Sequence, residues 1–152
     1  MTFNKKGSLT LGGEIMKKSL LAIVTFAMLA INAQAANPKY VIQISTDDAR
    51  TQKIVLNNAA NLQKYYGADK VDVEIVAYGP GLGILTPGNK NASRVEKMAM
   101  NDITFSACQN TMNGIKKKKG AFPKLTDGVT ITPSGVVRIG ELQQQGYSYI
   151  RP

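Results

Sequence analysis

From Tyr40 onward, short apolar or β-branched runs alternate with stretches of helical spacing, and this alternation constrains the fold more than anything else in the 152 residues. Tyr40-Val41-Ile42-Gln43-Ile44 reads as a strand that ends at Ser45-Thr46-Asp47-Asp48, good helix-capping chemistry. A helix is predicted to about Tyr66, with Val55, Ala59, Leu62 and Tyr66 on one face and Gly67 closing it. The second strand is predicted over Val71–Tyr78, where Val71, Val73, Ile75 and Ala77 alternate against Asp72 and Glu74. A loop at Gly79–Gly83, a helix near Ala92–Asn101 and a third strand, Ile103–Ala107, lead to Cys108. A short helix carrying Met112 and Ile115 stops before Gly120, and Val129–Thr132 is the fourth strand. Pro133-Ser134-Gly135 opens a last helix through about Gln145, and Tyr147–Ile150 is the fifth strand. Strands alternating with helices imply an α/β domain whose parallel sheet is covered on both faces. Ligands gather at the carboxyl ends of such strands. The Asp47 segment, the Gly79–Gly83 loop, Cys108 and Ser134 all fall at predicted carboxyl ends.

An export signal is expected ahead of this domain. Lys17-Lys18 is a positive n-region, and Leu20–Ile31 is an apolar stretch too short and poorly flanked for a stable membrane span. Ala33-Gln34-Ala35 is a small-x-small cleavage site, so residues 16–35 read as a signal peptide and 36–152 as one mature domain. The expected address is the periplasm of a Gram-negative bacterium, with no membrane anchor after cleavage and no new N-terminal cysteine to take a lipid. Residues 1–15 read as an upstream extension, with translation starting at Met16; codons for Gly12-Gly13-Glu14 can spell a purine-rich ribosome-binding sequence.

Charge and composition narrow the partners. The chain carries +9, and removing Lys5, Lys6, Lys17, Lys18 and Glu14 with the leader leaves +6, a mild preference for acidic partners. With no histidine and one cysteine, a zinc, copper or haem site within one chain is disfavoured, and no cofactor is expected. Lys116–Lys119 sits near a helix C-terminus, where it complements the dipole as a solvated end or offers a docking patch for an acidic partner. Export and the lack of interleaved aromatics argue against nucleic acid.

Cys108 is the residue with chemistry to weigh. A lone thiol in an exported protein is inert and buried, paired with another molecule, or kept for its reactivity. Gln109-Asn110-Thr111 reads as the first turn of a helix, whose unpaired N–H groups and positive dipole end favour thiolate. Without His or a CxxC, neither a Cys-His hydrolase nor dithiol exchange fits. What remains is a single thiolate that accepts, holds and passes on sulfur, or forms a mixed disulfide. Asn110 and Thr111 are candidate donors to a bound sulfur species or simple caps. Tyr78-Gly79-Pro80-Gly81-Leu82-Gly83 has GxGxG rather than GxGxxG spacing, and Pro80 lacks an N–H, so a tight turn walling the Cys108 pocket fits better than a nucleotide loop. Asn57, Asn58 and Asn61 are unusual in one helix. They read as an exposed polar face, or Asn58 bonds a neighbouring loop or subunit.

Four stretches together resemble the DsrE/DsrF-like family, and within it the exported branch: Leu56-Asn57-Asn58-Ala59-Ala60-Asn61-Leu62, Val76-Ala77-Tyr78-Gly79-Pro80-Gly81-Leu82, Phe105-Ser106-Ala107-Cys108-Gln109-Asn110-Thr111 and Gln145-Gly146-Tyr147-Ser148-Tyr149-Ile150. The likeness spans Asn37 to Pro152. It implies a three-layer α/β/α, flavodoxin-like architecture with a five-stranded, mainly parallel sheet, assembled into homotrimers or hexamers. It also implies sulfur carried as a persulfide on a cysteine after the third strand and relayed to an acceptor; Cys108 occupies that position, without a second relay cysteine. The expectation is a periplasmic sulfur-handling protein served by a sulfur donor or acceptor protein or a small sulfur compound. In it Cys108 is the acceptor, Asn110 and Thr111 stabilise the anion, and Tyr78, Gly79, Pro80 and Gly81 wall the pocket, with Asn58 and Ser134 in support. Two other readings stay open: an oligomeric binding or assembly module for an acidic partner, with Cys108 merely packed, and a redox sensor joining two subunits through Cys108.

Overall fold

Five strands run parallel in one sheet, in the order β4-β3-β2-β1-β5, in a computed structural model that describes residues 36–152. They are β1 (Lys39–Ile44), β2 (Asp72–Ala77), β3 (Ile103–Cys108), β4 (Val129–Thr132) and β5 (Ser148–Ile150). The helices are α1 (Ala49–Tyr66), α2 (Ala92–Ala99), α3 (Gln109–Lys119) and α4 (Gly135–Gln144). The signal-peptide and upstream-extension expectations lie outside the described residues.

The strand order explains the layers. From β1 to β4 the chain always steps in the same direction, so right-handed crossovers put α1, α2 and α3 on one face. The return to β5 runs the other way and lays α4 on the opposite face. The first face holds the main core: Ile42, Ile44, Ile75 and Phe105 from the sheet meet Val55 and Leu56 of α1, Val95 of α2 and Met112 of α3. Under α4 the apolar contact is small, with Val41 and Val76 against Ile139 and Leu142 and with Tyr78 and Tyr147 at the margin.

Polar groups fill the rest of that second face. The alternation in β2 is real, but its polar half is only partly solvated: Asp72 is half-exposed at the strand start, whereas Glu74 is 3% exposed. Its Oε1 accepts from the Ser106 hydroxyl at 2.6 Å, and Arg138 of α4 donates to both carboxylate oxygens, Nε at 2.9 Å and Nη2 at 2.7 Å. The Thr130 hydroxyl lies 3.2 Å from Ser106 and donates to the Phe105 carbonyl.

The segment after β2, expected as a loop, is wound into a 3₁₀ stretch, Gly79–Leu85, that packs back on the end of β1. Gly79 takes φ +54, a left-handed conformation glycine adopts freely. A Cβ on Gly81 would collide with the Ile44 carbonyl, which is backbone and cannot step aside. Gly81→Ala is therefore expected to destabilise the fold by about 1–3 kcal/mol, read as a lower urea midpoint with an unchanged slope.

Candidate functional site around Cys108

In an open parallel sheet, a crevice opens where the chain leaves two adjacent strands toward opposite faces. Here that happens between β3, which leads to α3 on the first face, and β4, which leads to α4 on the second. Cys108 is the last residue of β3 and pairs in register with Thr132, the last of β4. The one thiol of the chain thus stands at the switch point, and its alternation with Ser106 puts it on the α4 side of the sheet.

Two helix N-termini converge on it. Cys108 is the N-cap of α3, and Ser134 is the N-cap of α4. Burial, at 4% exposed, pushes the thiol up, but donors outweigh it: the Thr111 hydroxyl first, then the N–H groups of Thr111, Gly135 and Asn110. The net pKa lies below the ordinary 9.0. None of these N–H groups makes a closed capping hydrogen bond to the sulfur. They supply oriented dipoles, and the Asn110 N–H also reaches the Pro133 carbonyl at 3.3 Å.

Thr111 ties the 3₁₀ stretch to the thiol. Its Oγ1 accepts from the Gly79 N–H at 2.9 Å, which leaves the hydroxyl proton free to point at Sγ. Tyr78 closes the other side, packed so tightly against Gly135 that a Cβ there would lie 2.9 Å from the ring. A larger residue at 135 would push apart the tyrosine and the N–H that faces the sulfur.

Linkage fixes the sign of one pH effect. A thiol whose pKa is depressed by folding contributes stability that is full above the unfolded value and lost as pH falls through the folded value. Wild-type protein is therefore expected to gain stability over Cys108→Ser as pH rises toward the ordinary 9.0, and to gain nothing further above it. Urea midpoints of the two proteins at stepped pH values check this.

Of the residues expected at the site, the structure brings together Cys108, Thr111, Tyr78, Gly79, Asn110 and Ser134, with Pro80 and Gly81 behind Gly79. Asn110 contributes its backbone rather than its exposed side chain, and Ser134 its place before Gly135. Asn58 is elsewhere: it lines a shallow groove with Asn61, Tyr65 and Ile150. The Gly135 N–H, Glu74 and Arg138 were not foreseen. The only sequence signal for Gly135 was its position opening the helix after β4. The Lys116–Lys119 block ends α3 as expected, with the Lys116 ammonium 4.4 Å from the centre of the Phe122 ring. No cluster of metal-binding side chains occurs among the described residues.

A parallel α/β domain with a single thiolate-favouring cysteine at its switch point is the class that fold and site define. The chain belongs to the DsrE/DsrF-like family, whose sequence model matches residues 38–152. Among solved structures it is similar to MTH1491, a protein of unknown function from Methanobacterium thermoautotrophicum, at 29% identity and a TM-score of 0.69 over 76% of this chain and 100% of that one. It shares its fold with the ychN protein from E. coli, at 13% identity and a TM-score of 0.60 over 77% of this chain and 99% of that one. The same holds for BT1422, a conserved protein of unknown function from Bacteroides thetaiotaomicron, at 21% identity and a TM-score of 0.57 over 80% and 100%. No curated protein matches the chain. Family membership suggests a sulfur-relay-related role.

Proposed function

We propose that the protein is an exported, periplasmic sulfur carrier, assembled as a homotrimer or hexamer, that holds sulfane sulfur as a persulfide on Cys108. The observation that carries this reading is the set of donors around Sγ: the Thr111 hydroxyl and the N–H groups of Thr111, Gly135 and Asn110. They favour a thiolate nucleophile and then the persulfide anion. In loading, the Cys108 thiolate attacks the terminal sulfur of a donor persulfide R–S–SH. One S–S bond forms, the R–S–S bond breaks, and R–S⁻ leaves, so no external oxidant is needed. Delivery to an acceptor thiolate is the same exchange in reverse. Incubating the mature protein with an organic persulfide is expected to add one sulfur atom to its intact mass, removable by reductant. Cys108→Ser is expected to add none, and a serine variant that loads equally well would overturn the assignment.

A further inference from the structure

A second feature begins at Thr111, in the first turn of the helix that Cys108 caps. A groove of about 730 Å³ runs between the 3₁₀ stretch and α3, within the size range of small-molecule sites. Thr111, Gly114, Ile115 and Lys118 line it. Their spacing of three, four and seven residues makes one stripe along α3, so the groove extends about 10 Å from Thr111 to Lys118. Leu82, Phe122 and Pro123 give it apolar walls, and Lys118 and Lys119 stand at its far rim. Thr111, at the near rim, is the residue whose hydroxyl faces Cys108.

Two observations point to an occupant. Gly114 lies inside α3, where glycine is disfavoured against alanine, yet a Cβ there would meet no atom within 4 Å. Packing does not require the glycine, and its absent side chain leaves the groove open. The second observation is charge. The four lysines ending α3 face only about half a negative charge from the helix dipole, and none forms an ion pair among the described residues. The far rim is left strongly positive.

We infer that this groove binds an organic anion with an apolar body, its acidic group at Lys118 and Lys119 and its other end at Thr111. Resting on the carrier reading above, the occupant is the sulfur donor: a small organic persulfide whose acid lies about 10 Å from its sulfur, the span of the stripe. Transfer is the exchange already written, with the donor's thiolate as leaving group.

The test compares ω-mercaptooctanoate persulfide with its methyl ester, which keeps the length and removes the charge. Loading of Cys108 in the mature protein is followed by intact mass at low ionic strength. The acid is expected to load about five- to tenfold faster than the ester, and Lys118→Gln/Lys119→Gln is expected to erase that preference. Gly114→Leu, which fills the groove with a good helix former, is expected to slow both donors. Alkylation of Cys108 by iodoacetamide is measured alongside, and each loading rate is divided by it, so that a change in the thiol itself does not count as a change in donor preference. Equal loading by acid and ester in wild type and variants would overturn the groove and leave the carrier intact. If neither donor loads Cys108, the carrier reading fails, and calorimetric titration with octanoate then decides the groove alone: saturable binding lost in Gly114→Leu supports it, and no binding overturns it. A change in sedimentation of Gly114→Leu with no change in donor preference would assign the groove to a second copy of the chain and overturn the proposal.

Discussion

Thr111→Val is expected to slow alkylation of Cys108 at neutral pH by about tenfold, the weight of one hydrogen bond to a charged group. The same change is expected to shift the rate profile to higher pH. Valine keeps the shape and removes the hydroxyl, foremost among the donors that favour the thiolate. It also leaves the Gly79 N–H without its acceptor, so the 3₁₀ stretch loosens while the thiol weakens. Thr111→Ser restores the hydroxyl and is expected to recover most of the wild-type profile. The wild-type rate itself is expected to level off below the ordinary 9.0. A valine variant with an unchanged profile would show that the backbone groups alone hold the thiolate.

Arg138→Met is expected to be the most damaging single change on the α4 face. Glu74 is buried, its two oxygens are held by one guanidinium, and Ser106 alone would remain to it. Removing one partner of a buried pair costs about 3–5 kcal/mol, and Arg138 is part-exposed, so the lower end applies. A loss of about 3 kcal/mol lowers Tm by roughly 10–15 °C in a domain of this size. Glu74→Leu/Arg138→Met removes both charges and is expected to recover much of that loss. Thermal unfolding of the single and double variants checks both statements. A single variant as stable as wild type would mean that the apolar contact of Ile139 and Leu142 holds α4 without the ion pair.

The parts of this site that were legible in the sequence are those made by local pattern. β4 was read at its observed bounds, and α3 and α4 were placed because Gly120 and Pro133-Ser134-Gly135 punctuate the chain. Cys108 at a strand end and Thr111 one turn on are neighbours in sequence, so their meeting followed from helix geometry alone. Glu74 and Arg138 lie 64 residues apart, and only the strand order brings α4 over β2. Before that order is known, a glutamate in an alternating strand reads as the solvated half of the pattern. Asn58 is the opposite case: the helix face was readable, but what shares its groove depends on where β5 docks, and Ile150 lines that groove with it.

The pairing of Cys108 with Thr132 has a consequence for motion. The Gly135 N–H reaches the sulfur only while β4 stays docked, and β4 is a four-residue strand at the sheet edge. Edge elements open locally at lower free energy than a protein's global unfolding. Each such opening withdraws one donor and uncovers the sulfur at the same moment, so the thiol becomes more reachable as it becomes less acidic. Reactivity at Cys108 is thereby a balance of two populations, and hydrogen exchange at Thr132 reports the exchange between them.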